Sequence, residues 1–266
     1  MLGSIIGDIV GSVYEWNNCR SKEFPLFINK CQFTDDSIMT CAVAKALLEY
    51  KKSKNNLNQL TVKYMQEIGR NYPNCGYGGH FFFFIFGNNP EPYNSLGNGS
   101  AMRVSACGWV GNSIEEVVEL ATKVTEVSHN HPEGIKGGVA TAVAIYLART
   151  GKSIKEIKEY IDQNYYKVDF KLDDIRATYE FNETCMNTVP QSLEAFYEST
   201  SFEDAIRNAI SVGGDSDTLA AITGGIAEAY YGIPSSIRET ALKFLDKRLL
   251  EIVTEFEKKF PPVILK

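Results

Sequence analysis

Zinc-site spacing, long basic runs and long apolar stretches are all missing from this sequence, and each absence removes a class of protein. The six cysteines, at positions 19, 31, 41, 75, 107 and 185, include no C-x-x-C pair, and the three histidines complete no zinc pattern. Neither a zinc ribbon nor a disulfide scaffold is therefore expected, and the thiols read as the reduced cysteines of a cytoplasmic protein. No basic run exceeds two residues, as at Lys51-Lys52, and the net charge is -6. Sequence-independent binding to nucleic acid is not expected on that balance. The apolar stretch Phe81 to Phe86 is six residues long, far short of the ~20 that a membrane-spanning helix needs. A secretory leader is not expected either, because the N-terminus lacks a basic region and carries Asp8 and Glu15 where an apolar core should be uninterrupted.

What is present is the composition of an ordinary folded domain, with 44% hydrophobic and 23% charged residues in a chain of 266. Alternation of the kind strands show is confined to Lys167 to Leu172, which fits a loop or a small hairpin equally well. Helical periodicity dominates: Leu2 to Glu15, Ile38 to Tyr50, Leu60 to Asn71, Glu115 to Ser128, Glu133 to Arg149, Ser153 to Asn164, Gln191 to Tyr197, Glu203 to Val212, Thr218 to Tyr231 and Ile237 to Phe260. Ser153 with Glu156, Ser201 with Asp204, and Ser236 with Glu239 have the spacing of capping-box or related starts. Residues 74 to 100 show no sustained period and predict a loop layer around a short apolar segment. With no tandem repeat and no linker, the expectation is a single all-α domain.

Two short acidic turns stand out. Gly213-Gly214-Asp215-Ser216-Asp217-Thr218 runs into the apolar Leu219 to Ile222, and Thr34-Asp35-Asp36-Ser37 opens the helix to Tyr50. Either turn alone reads as a helix cap, since Asp, Ser and Thr accept hydrogen bonds from free amides. Adjacent or alternate acids repel each other, however, and need a counter-charge. Together the turns offer four carboxylates and two threonine hydroxyls, the all-oxygen donor set of a hard divalent cation. Gly3, Gly7 and Gly11 form a bare helical stripe for close packing, while Asp8, Ser12 and Glu15 fall at i, i+4 and i+7. Gly97-Asn98-Gly99-Ser100-Ala101-Met102-Arg103 combines glycines that let amides approach an anion with a possible source of positive potential. His129 and His131 lie two apart in a turn, so they cannot share a helical face as a zinc site; one touching substrate and a purely structural turn are both open.

Taken in order, Gly7-Asp8-Ile9-Val10-Gly11-Ser12 with Glu15, Thr34-Asp35-Asp36-Ser37, Gly97 to Arg103, Ser128-His129-Asn130-His131-Pro132-Glu133 and Gly213 to Thr218 resemble the ADP-ribosylglycohydrolase family. Ser37 and Ser128 stand where that family often has threonine, and both keep the hydroxyl. The resemblance implies an all-α fold with a binuclear Mg²⁺ or Mn²⁺ centre at the base of an ADP-ribose cleft. By position, Thr34, Asp35, Asp36, Asp215, Asp217 and Thr218 match its metal ligands. Glu15 matches the acid that serves the reaction centre, with Asp36 or Asp217 sharing the orientation of water. Gly97, Asn98, Gly99, Ser100, Met102 and Arg103 match the loop around the diphosphate and its ribose, and His129 matches a histidine that approaches the ligand. The implied substrate is an ADP-ribosylated protein or a small ADP-ribose conjugate, arginine-linked in the first instance. Serine-linked ADP-ribose, O-acetyl-ADP-ribose and the polymer are alternatives, as is a non-catalytic ADP-ribose-binding protein. A cytoplasmic monomer with no nucleic-acid or membrane partner completes the expectation.

Overall fold

The computed structural model describes residues 1–53, 55–262 and 264–265. In chain order its helices are α1 (Leu2–Gly11), α2 (Asp35–Ser53), α3 (Leu57–Gly69), α4 (Gly79–Phe86), α5 (Gly99–Met102), α6 (Ser105–Val110), α7 (Ile114–Glu126) and α8 (Pro132–Arg149). There follow α9 (Ile154–Asn164), α10 (Leu172–Ile175), α11 (Cys185–Tyr197), α12 (Phe202–Val212), α13 (Ser216–Tyr231), α14 (Ser235–Leu242) and α15 (Lys247–Lys259). The strands among the described residues are β1 (Ile233–Pro234) and β2 (Ile264–Leu265), which pair in parallel. The all-α expectation holds. None of the described helices is long and apolar enough to cross a membrane, and the six cysteines are free.

Local chemistry accounts for most of the helix starts. Ser153 and Glu156 form the expected capping box on α9, and Ser201 accepts from the Asp204 amide at the start of α12. Five details differ from the sequence reading. The helix expected over Leu2 to Glu15 ends at Gly11, so Ser12 and Glu15 lie beyond it and do not continue a helical stripe from Asp8. The stretch taken as one helix from Ile237 breaks into α14 and α15, because Asp246 caps a new start by accepting from the Leu249 amide at 3.0 Å. Ser236 is no cap, since α14 begins from Pro234. Helix α11 starts at Cys185 and carries Pro190 inside it. Residues 79 to 86 form a helix of their own within the loop layer, with Phe81, Phe84 and Ile85 buried.

The core is built around α13, whose residues 216 to 229 are all buried. Helices α1, α8, α11 and α12 pack around it. Its closest neighbour is α1, and the reason is the glycine stripe. A β-carbon at Gly3 would collide with the Gly224 carbonyl, one at Gly7 with the Ala220 carbonyl, and one at Gly11 would stand 2.5 Å from the Asp217 Cα. Backbones meet where side chains would otherwise separate them. That contact sets the C-terminal end of α1 beside the acidic N-terminus of α13. The chain then leaves α1 through Ser12 and Glu15 directly over that turn.

Candidate active site

Asp8 ties the first acid turn to α1. Its Oδ1 accepts from the Thr34 hydroxyl at 2.7 Å, and its Oδ2 accepts from the Thr34 amide at 2.9 Å and the Ser37 amide at 3.1 Å. The Ser37 hydroxyl donates to the same oxygen. A wholly buried carboxylate on one helix thus caps the start of another. These bonds make Asp8 the support that places Thr34, Asp35 and Asp36.

The second turn meets the first across α1. Carboxylate oxygens of Asp8, Asp36 and Asp217 lie within 4.8 Å of one another, and so do those of Glu15, Asp215 and Asp217. Asp217 belongs to both groups. Gly213 and Gly214, at φ 78° and 68°, give the turn a left-handed backbone that suits glycine. Asn18 fixes it from outside, donating to the Gly214 carbonyl at 3.0 Å and accepting from its amide at 2.8 Å. Thr218 donates to Asp36 at 3.4 Å, and Asn98 donates to Asp215 at 2.6 Å. No Lys or Arg pairs with any of these acids among the described residues.

The electrostatic cost of that gathering is large. Burial, then the charges of Asp8 and Asp215, hold Asp35 well above the usual carboxylate range. Burial, then Asp8, Asp35 and Asp215, do the same to Asp36; burial, then Asp215, Asp36 and Glu15, to Asp217. Glu15 is pushed up to about 7 by desolvation first, then by Asp215, Asp8 and Glu183, with a hydrogen bond from the Trp16 side chain pulling back. The buried Oδ1 of Asp36 has no hydrogen-bond partner. An orphaned carboxylate oxygen in a cluster of unneutralised acids and threonine hydroxyls fits hard divalent cations, which these residues could hold.

The acids form the floor of a cavity of about 720 Å³, a size suited to a small-molecule ligand. Thr34, Asp35, Asp36, Asp215, Asp217, Thr218 and Glu15 all line it, as do Gly97, Asn98, Gly99, Met102, Arg103 and His129. Ser100 does not. Its hydroxyl turns into the protein and donates to the carbonyls of Gly134 at 2.7 Å and Gly97 at 3.1 Å, so it braces the loop and is no side-chain ligand. Arg103 borders the cavity but is 0% exposed. Its Nη2 donates to Ser128 Oγ at 2.9 Å, its guanidinium lies over the Phe81 ring, and burial lowers it to about 10.

The Ser128 hydroxyl joins Arg103 to His129. Its oxygen accepts from Arg103 Nη2 and lies 2.8 Å from His129 Nδ1. When the hydroxyl donates to Nδ1, the neutral ring carries its proton on Nε2. That nitrogen faces the glycine loop, where a β-carbon at Gly99 would stand 3.1 Å from it. Burial, then the Arg103 charge, holds the imidazole well below its ordinary pKa. His131 has the structural role, with Nδ1 accepting from the Glu133 amide at 3.1 Å to cap α8.

Sequence reasoning missed the rest of the wall. Gly76, at φ 97°, lets the backbone pass close to the Asp35 carboxylate. Tyr93 and Phe81 pack edge-on to His129, at centroid distances of 5.7 and 6.1 Å. Trp16 and Phe181 stack at the mouth, 5.0 Å apart and 19° from parallel. Gly76, Tyr93, Trp16 and Phe181 come from loops with no periodicity to read and Phe81 from α4; glycine and aromatic richness flagged residues 74 to 100, and nothing in the sequence flagged Trp16 or Phe181.

The sequence model of the ADP-ribosylglycohydrolase family matches residues 1–262. The chain belongs to that family, and it is a hydrolase of ADP-ribose conjugates. Its relatives include the ADP-ribosylhydrolase ARH3 of Mus musculus, 26% identical over 94% of this chain and 88% of that one. The ADP-ribosylarginine hydrolase Tri1 of Pseudomonas putida (strain GB-1) is 24% identical over 88% and 70%. A shorter match, 24% identical over 55% and 51%, links it to the ADP-ribosyl-[dinitrogen reductase] glycohydrolase of Rhodospirillum rubrum. In structure it is similar to an ADP-ribosylglycohydrolase-related protein complex, with a TM-score of 0.72 at 20% identity over 97% of this chain and 95% of that one.

Proposed function

We propose that this protein hydrolyses arginine-linked ADP-ribose on proteins or small conjugates, with two Mg²⁺ or Mn²⁺ ions held by Thr34, Asp35, Asp36, Asp215, Asp217 and Thr218. The observation that carries the reading is the gathering of Asp35, Asp36, Asp215 and Asp217 at the floor of the cavity, with Asp217 close to both Asp36 and Asp215 and no Lys or Arg paired with them among the described residues. Bound there, the cations would supply Lewis acidity towards ribose hydroxyls and acidify a water. The name of the Tri1 relative, an ADP-ribosylarginine hydrolase, supports the choice of linkage.

The chain's own groups divide the remaining work. Glu15, which lines the cavity beside Asp215 and Asp217, takes a proton from the water that attacks the anomeric carbon and passes it to the departing nitrogen. The carbon–nitrogen bond breaks, the water oxygen becomes the anomeric hydroxyl, and protons balance. Asp36 and Asp217 share the orientation of that water. The Nε2 proton of His129 donates to ligand oxygens passing over Gly97 and Gly99, where missing side chains permit close approach. Asp8 keeps the first turn in place.

Release of free ADP-ribose from matched arginine-linked and serine-linked peptides, with Mg²⁺, Mn²⁺ or chelator, tests the proposal. Metal-dependent release from the arginine peptide is expected. Release from the serine peptide alone would overturn the linkage, and equal release in chelator would overturn the metal assignment.

A further inference from the structure

The Trp16–Phe181 stack has no assigned work in the reading above. Trp16 is 79% exposed and Phe181 38%, and both line the cavity. Trp16 follows Glu15 in the chain, while Phe181 is two residues from Glu183. Glu183 also lines the cavity, is exposed, and is near enough to raise the pKa of Glu15. It makes no ion pair among the described residues. Phe81 and Tyr93, by contrast, gather around His129 and the glycine loop. No ring of that group touches Trp16 or Phe181 among the described residues. The cavity therefore has two aromatic walls, one belonging to the glycine loop and one to Glu15.

We infer that Trp16, Phe181 and Glu183 form the acceptor subsite, the place where the arginine side chain lies while its bond to ADP-ribose is cut. The inference rests on the arginine-linked reading and adds the residues that select it. A guanidinium is planar and cationic, so it stacks flat on an indole face and gains from the ring's negative quadrupole. A carboxylate beside the stack adds attraction to the same group and none to a serine hydroxyl. Holding the acceptor equally before and during bond cleavage affects KM and leaves kcat, the signature of uniform binding.

The test uses steady-state kinetics on the arginine-linked peptide and calorimetric binding of free ADP-ribose. Trp16→Ala should raise KM on the order of tenfold, with kcat within about twofold and ADP-ribose affinity unchanged. Trp16→Phe keeps a ring face and should recover most of the loss. Glu183→Gln should raise KM several-fold at low salt and less at high salt. Equal weakening of free ADP-ribose by Trp16→Ala would assign the stack to the nucleotide and overturn the inference. A fall in kcat at constant KM would make Trp16 a positioning residue for Glu15 instead, again against it. Wild-type turnover confined to the serine peptide removes the arginine reading and the subsite with it; wild-type turnover of the arginine peptide with a KM indifferent to Trp16→Ala removes the subsite alone.

Discussion

At the residue scale, Asp36 shows what the site costs. A buried carboxylate with an unpaired oxygen is a liability in the metal-free chain and a ligand in the loaded one. Asp36→Asn should therefore raise the stability of the metal-free protein, by about 1 kcal/mol or more, while lowering turnover roughly a hundredfold or more. Parallel denaturant curves and rate measurements check both signs, and a variant that loses stability along with activity would contradict the account. Asp215→Asn combined with Asp217→Asn should abolish metal-dependent turnover and leave the helical circular dichroism intact. Ser128 makes a different prediction. Ser128→Ala removes the shortest partner of Arg103 Nη2, which keeps only the Val124 and Thr125 carbonyls at 3.3 Å, and leaves the buried His129 Nδ1 without its partner, at a cost of about 1–3 kcal/mol in urea unfolding, and Ser128→Thr should restore most of it. The acids were legible in the sequence because each turn is contiguous, so its donors arrive together whatever the fold does. Arg103 and Ser100 were not: which way a side chain turns off a short helix is decided by partners such as Ser128 and Gly134, distant in sequence.

At the scale of elements, α1 is the ruler between the acid turns. It touches α13 through glycines and holds α2 through Asp8, so its position sets the distance between them. Gly7→Ala should destabilise the protein by about 3 kcal/mol or prevent folding, since the new methyl has a backbone carbonyl in its place. Gly79→Ala, at a position with nothing within 4 Å, should change stability by less than about 1 kcal/mol. Thermal melts of the two variants make the comparison. The stripe could be read from spacing alone, but its partner could not, because α13 lies two hundred residues further along. Helix α4 escaped detection for a related reason: a run of phenylalanines has no polar face to give a period, so only packing reveals that Phe81 and Phe84 point inward and Phe83 outward.

For the whole molecule, the raised acids make stability a function of pH and of cations. Asp35, Asp36 and Asp217 keep protons in the folded chain that the unfolded chain loses near pH 4. Between that value and their raised folded values, unfolding releases protons, so metal-free stability falls as pH rises. Glu15, raised to about 7, adds to the same fall. Asp8 and Asp215 are raised too and act with them; His129 and the lowered carboxyls of Asp204, Glu116 and Glu255 act in the opposite sense. The melting temperature in chelator should drop from about pH 5 to about pH 7.5. Cation at a hundredfold its dissociation constant should add about 2.7 kcal/mol per site. A melting temperature indifferent to Mg²⁺ at the upper pH would count against the site. The means of watching all this is already in the chain. Of its two tryptophans, Trp109 is 7% exposed in the core and Trp16 is 79% exposed at the mouth. Their fluorescence divides accordingly, a red-shifted emission that responds to an occupant of the cleft and a blue one that persists until the core opens, so occupancy and unfolding can be followed in one unlabelled sample.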